Sequence, residues 1–317
     1  MRLFVPSYIE KIVKEHWNGV ENISLKIEKF VPFGGDSPKK RGGEMPKPRY
    51  QSLGYRILLP TGALEKYQKY YKLRGKMWDE INAQTFKLST KSRLIIGLGN
   101  ESVYETSIRL HRNYGIPYIP GSALKGVAKH YAILNLADRL KDQFDGDFFE
   151  LAKRIQEALE NPAKDENNDK EVIKAIEEKL KEKINDELLK KMKVLRAIFG
   201  TQKREGDIIF FDAFPTPNQL NREPILELDI MNPHYQPYYS ASGEELGKKV
   251  ETAPGDWHSP VPVFFLTVPA GIEFQFSIAP RNKEGVKLLT KARELLISAL
   301  KDHGVGAKTS LGYGRFG

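Results

Sequence analysis

From residue 120 onward the apolar side chains Leu124, Val127, Ala128, Tyr131 and Leu134 fall three and four apart. That spacing lines one face of an α-helix. Pro120-Gly121-Ser122 stands just before them and predicts a helix start with Ser122 as N-cap. Residues 287–301 repeat the helical period through Leu288, Leu289, Ala292, Leu295, Leu296 and Leu300, and helices are also expected over 4–16 and 62–83. Strand-like runs occupy 23–31, 55–59, 207–211, 225–231, 263–268 and 273–278, and 91–98 with 103–110 read as a hairpin across Gly99-Asn100. The order is α+β. Its strand, helix, strands, helix, strand sequence predicts a ferredoxin-like (RRM-like) βαββαβ core.

Two stretches fall outside this alternation. Residues 138–196 read as two or three charged helices, broken by Asn161-Pro162 and the polar run 164–170. With glutamates and lysines at helical spacing they form a solvated helical insertion or a partner surface. Residues 33–54 make a Pro/Gly-rich loop carrying Lys39, Lys40, Arg41, Lys47 and Arg49. No repeat of fixed period interrupts the chain, so 1–317 is read as a single domain.

Charge sharpens the picture. The net charge is +9, but 138–196 holds 14 Lys/Arg against 16 Asp/Glu, which leaves the remainder at +11. Positive charge gathered outside one acidic segment points to a polyanion. The chain has no cysteine, which excludes disulfides, thiolate metal sites and thiol nucleophiles. No apolar run approaches the ~20 residues of a membrane span. The N-terminal residues carry scattered charge unlike a signal peptide, so a cytoplasmic protein without membrane contact is expected.

The densest chemical signal is GVGAKTSLGYG, residues 304–314, with glycines paired on either side of a Lys, a Thr and a Ser. Glycines in this density let backbone N–H groups curl round an anion; an ordinary flexible loop is the competing reading. A Walker A loop would need glycines where Asp302 and Ala307 stand, and only eight residues follow Thr309, too few for its helix. A dinucleotide fingerprint fails at Thr309, and in GLGNES at Ser102.

Six histidines, His16, His111, His130, His234, His258 and His303, include no H-x-x-x-H pair, so neither a metal nor a cofactor is expected. The Asp207 and Asp212 pair flanks a strand and reads as a poor carboxylate site or as edge charge.

The glycine motif resembles the G-x-G-x5-G-x-G loop of the RAMP superfamily of CRISPR-associated RNA-binding proteins. RLIIGLGNESVYETSIRLHRNYGIPYIPGSALKG (93–126), IFG with GDIIFFDAFP (198–215), DIMNPHYQPYY (229–239) and FFLTVPAGIEFQFSIA (264–279) are similar to RAMP subunits of type III effector complexes. Their combination is most like one particular subunit of the Cmr (type III-B) complex. The likeness spans 93–317 apart from the insertion; residues 1–92 are divergent.

The resemblance implies a RAMP-type core with helical insertions and a non-catalytic, RNA-binding subunit that holds or caps the 3′ part of a guide RNA. Its implied partners are guide RNA, other Cmr RAMP subunits and the small helical subunit, with target RNA as a further one. A metal-independent CRISPR-RNA processing endoribonuclease is the alternative, with His16 its nearest positional base. Within 303–315, Gly304, Gly306, Gly312 and Gly314 would shape the loop and offer amides to phosphate. Lys308 and Arg315 read as phosphate partners or as surface charge, and Tyr313 as a base-stacking ring or as packing. Ser122 and Lys125 read as an anion site at a helix start or as a cap with a solvated lysine, with Arg109 and Arg112 along the same track. The basic loop 39–49 is a further RNA contact or is disordered. The aromatic stretch 233–257 suits a subunit interface.

Overall fold

A computed structural model describes all residues except 1, 4, 6, 30–31, 34–54, 103, 145–146 and 242–252; the basic loop 39–49 lies outside the described residues. In chain order the elements are β1 (Arg2–Leu3), α1 (Ser7–Glu15), α2 (Ile23–Glu28), β2 (Pro32–Phe33), β3 (Arg56–Ile57), α3 (Thr61–Glu80), β4 (Gln84–Ser89), α4 (Gly121–Leu140), α5 (Phe148–Glu160), α6 (Asp169–Leu180), α7 (Asp186–Phe199), β5 (Ile208–Phe210), β6 (Phe214–Pro215), β7 (Leu226–Met231), α8 (Gln236–Ser240), β8 (Val263–Thr267), β9 (Glu273–Pro280) and α9 (Lys283–Asp302). They fall into two compact units. One comprises Met1–Tyr67, Ile95–Pro117 and Pro217–Pro269, the other Gln68–Leu94, Tyr118–Thr216 and Ala270–Gly317.

In the first unit β7 pairs antiparallel with both β3 and β8, and β1 with β2. Two expectations fail here. Residues 23–28 are helical rather than extended: the Asn22 side chain accepts from the amides of Ser24 and Leu25, and Ile23 and Ile27, four apart, are buried on one face. A cap that satisfies the first orphan amides outweighs a short alternation that fits either period. The expected hairpin over 91–110 is likewise not built of strands among the described residues. Among the described residues its arms are joined by Arg109 N–H to Ile96 O (2.8 Å) and Ser107 N–H to Leu98 O (3.2 Å). Gly97, at φ +75°, turns the chain out of the extended conformation.

The second unit centres on β9, flanked by β4 and β5 with β6 alongside, all antiparallel. Phe274, Phe276 and Ile278 alternate into the core, and Phe86 stacks on Phe276 at 5.2 Å. The neighbouring runs 263–268 and 273–278 therefore join different sheets. Helices α4 and α9 pack on one another, and α9 packs on β9.

The charged segment forms α5, α6 and α7, and it is not merely solvated. Ile155, Ala158, Ile176, Leu180 and Met192 are buried, and α5 and α7 rest on α4. Its anchor is Arg196, 2% exposed, whose Nη1 donates to the carbonyls of Ala158 (2.8 Å) and Asn161 (2.7 Å) while Nη2 meets Glu166 at 2.7 Å. One guanidinium thus satisfies orphan carbonyls at the end of α5 and pins the turn before α6. Replacing it with Ala strands Glu166 and those carbonyls, a loss of about 3–5 kcal/mol for a buried pair broken on one side. Arg196→Ala is expected to raise amide exchange across α5–α7 while β4 and β9 keep their protection, as read by hydrogen–deuterium exchange.

Candidate nucleic-acid interface

The last fifteen residues of the second unit turn the glycine motif into a closed loop. Helix α9 ends at Asp302, with the amides of His303 and Gly304 returning to Ala299 O. Val305 N–H then donates to Gly314 O at 3.0 Å, and Gly314 N–H to Arg93 O at 2.8 Å, closing the loop at its base. Gly314 sits at φ +73°, and any β-carbon there would collide with Val305 O. Only glycine fits both conditions. At the tip Lys308 adopts the left-handed conformation (φ 57°) before a 3-10 turn over Thr309–Leu311.

This geometry leaves the amides of Gly306, Ala307, Lys308, Thr309 and Ser310 without a protein acceptor among the described residues. Successive free N–H groups around a positive-φ turn form an anion-binding concavity. Leu311, 72% exposed, projects beside it. Gly304, Gly306, Lys308, Gly312, Tyr313, Gly314 and Arg315 are thus brought into one structure.

The expected helix-start site differs in detail. The N-cap of α4 is Pro120, not Ser122; Ser122 is exposed in the first turn. Gly121 N–H donates to Asp212 Oδ1 at 2.8 Å, so a carboxylate already occupies the positive end of the helix. Asp207 is likewise engaged, accepting from Arg204 and Asn282. Neither carboxylate flanking β5 is left over for chemistry. Lys125, one turn further along α4, has no hydrogen-bond partner among the described residues. Burial, then Lys129 and Arg281, hold its pKa below the usual lysine value, against the pull of Glu205. An ammonium held among like charges gains from a bound anion.

Two residues that sequence reading left without a phosphate role join this group. His303 lies 5.8 Å from His130 and edge-on to Tyr131 at 5.1 Å. Burial, then His130 and Arg315, press its pKa below the ordinary value, opposed by Asp302. His130 follows Lys125 and Lys129 on α4, and that clustering was the only sequence signal for it.

Arg109 and Arg112 belong to the other unit. Arg109 is half-buried, and the exposed Arg112 lends its carbonyl to Asn22 Nδ2 at 2.8 Å. Between them His111 organises a tight turn, its Nδ1 accepting from Asn113 N–H. In that unit Tyr239 (72% exposed) and Trp257 (62%) stand in solvent within the aromatic stretch. Among the described residues no three His, Asp or Glu side chains gather as a metal site, and no helix is long and apolar enough to cross a membrane.

Comparison with known proteins bears on the same residues. The sequence model of the RAMP superfamily matches 87–317. The chain is 47% identical over 272 residues to the CRISPR system Cmr subunit Cmr6 of Pyrococcus furiosus, covering 82% of this chain and 75% of that one. It is 23% identical over 258 residues to the Cmr6 subunit of Saccharolobus solfataricus, covering 80% of this chain and 64% of the relative. The crystal structure of the Pyrococcus furiosus Cmr6 aligns at 45% identity with a TM-score of 0.47, over 74% of this chain and 96% of that chain.

The pressed-down His303 generates a signed expectation. A bound polyanion favours the imidazolium, so its pKa rises on binding and a proton is taken up. Affinity for polyphosphate is expected to increase as pH falls towards and below His303's free value, by up to about tenfold per unit that binding raises that pKa. Titration calorimetry in buffers of different ionisation enthalpy measures the uptake, and His303→Gln is expected to abolish it.

Proposed function

Because this chain belongs to the RAMP superfamily, we propose that it is an RNA-binding, structural subunit of a type III-B CRISPR (Cmr) effector complex that holds or caps the 3′ part of the guide RNA. The observation that carries the RNA role is the closed glycine loop with five amides facing no protein acceptor among the described residues, beside His303 and Arg315. The subunit assignment rests on 47% identity to a Cmr6 subunit across most of both chains. Phosphate contacts of this kind position RNA without reading its bases.

On this reading the antiparallel sheet of the second unit with α4 and α9 is the ferredoxin-like RAMP core. The subunit performs no catalysis, needs no cofactor and acts in the cytoplasm. Its neighbours are other Cmr RAMP subunits and the small helical subunit. Exposed Tyr239 and Trp257 suit one such interface, since aromatic anchors dominate binding energy. Target RNA is a further partner if the loop lies along the guide–target duplex. The endoribonuclease reading draws on the imidazole pair His130 and His303. In its favour would be metal-independent cleavage of repeat RNA by the purified chain, lost in His303→Gln.

Single-stranded RNA is expected to bind the purified chain with an affinity that falls log-linearly with salt. Lys125→Ala and Lys308→Ala should each reduce that slope by about 0.7, the value for one single-strand phosphate contact. Gly314→Ala, which opens the loop base, should weaken binding more than either. Fluorescence anisotropy across a salt series measures all three. A slope unchanged in every variant contradicts the proposal.

A further inference from the structure

The side of the second unit formed by the C-terminal half of α4, by α7 and by residues 287–295 of α9 carries a groove of about 430 Å³. Its floor is aliphatic: Ala132, Leu136, Val194, Leu195, Leu288 and Leu295. Its rim is Arg139, Lys190, Lys191, Lys287 and Lys291, with Asn135 as the one uncharged polar residue and no carboxylate in the lining. A second recess of about 190 Å³ shares Leu136, Arg139 and Lys191 with it and continues along α4 to Leu140 and on to Gln143 in the turn beyond, where Glu187 is the one acid. From Ala132 to Leu140, at the end of α4, the depression runs roughly 12 Å at 1.5 Å per helical residue. It is therefore elongated.

We propose that this groove docks an acidic amphipathic helix of a partner protein, laying aliphatic anchors on the floor and carboxylates against the lysine rim. Charge decides the sign of the partner. Lys190 has no carboxylate partner among the described residues. Lys191, Lys287 and Lys291 lie 2.6, 2.8 and 3.5 Å from Glu187, Glu284 and Glu294, but these pairs are solvent-exposed and each carboxylate stands outside the main groove. Such exposed pairs contribute about 0–1 kcal/mol and yield readily to a better-placed partner.

Chemistry of the floor decides the class. A nucleic acid could meet the basic rim through its phosphates, but its bases stack on aromatic rings, none lines this groove, and the aliphatic floor would stay uncovered. A small molecule needs a few convergent polar groups to orient it, and Asn135 alone among the uncharged lining residues offers one. An elongated aliphatic channel with polar edges matches the anchors at i, i+3, i+4 and i+7 by which a helix enters a groove. The inference is independent of RNA binding at the glycine loop.

The test places a photo-crosslinking residue at Asn135, an exposed rim position, in the full chain expressed in its native cell. The cross-linked peptide is then identified by mass spectrometry. The expected peptide is a protein segment with Leu, Ile, Val or Met at helical spacing and an excess of Asp and Glu. Lys190→Glu with Lys291→Glu, both exposed and remote from the core, should cut the yield at least tenfold. Reversing the partner's acids to Lys should restore it. The same double variant should leave the salt slope of RNA binding unchanged. Cross-linking to RNA, to a basic or non-helical segment, or to nothing overturns the proposal. So does a yield indifferent to charge reversal. A fall in the RNA slope would instead place RNA in the groove and leave the loop assignment standing.

Discussion

The glycine loop depends on how the last four residues re-enter the fold. Ser89 and Gly317 exchange backbone hydrogen bonds of 3.0 and 2.9 Å, and Lys91 N–H reaches Arg315 O at 2.8 Å. Phe316, fully buried, inserts edge-on against Phe274 and Phe276 at 5.9 and 5.3 Å. The end of the chain thus extends the edge of β4 and is held there by aromatic packing. Without that anchor Gly314 could not meet Arg93 and Val305 together, and the amides of 306–310 would have no fixed direction. A binding loop needs rigid ends to present free donors at low entropic cost.

Much of this was legible in the chain and some was not, for physical reasons. Helices α3, α4 and α9 and strands β5, β7, β8 and β9 appear where long apolar periodicity demands them. Residues 23–28 went the other way because Ile23 and Ile27 satisfy either period and Asn22, a local cap, breaks the tie. At the start of α4 the cap is Pro120, because Asp212, remote in sequence, supplies the acceptor that Ser122 was expected to provide. The loop's glycines announced themselves. The pairing of His130 with His303 and the rim joining Arg139, Lys190 and Lys291 exist only once α4, α7 and α9 pack.

The second unit therefore carries two surfaces of different chemistry. The loop offers backbone donors beside His303, whose pKa is pressed down by burial, His130 and Arg315, an arrangement relieved by an anion. The groove offers aliphatic surface under exposed lysines and no aromatic ring. The charge balance is consistent with this division: 138–196 is near neutral as a whole and contributes its lysines locally through α7, while the remainder of the chain carries an excess of +11.

The central claim is that the closed glycine loop touches RNA. Ultraviolet cross-linking of the natively assembled particle, followed by mass spectrometry of nucleotide-bearing peptides, tests it most directly. The account predicts adducts within residues 303–315 and on α4 near Lys125 and His130. Adducts confined to other parts of the chain, with 303–315 recovered wholly unmodified, would contradict it.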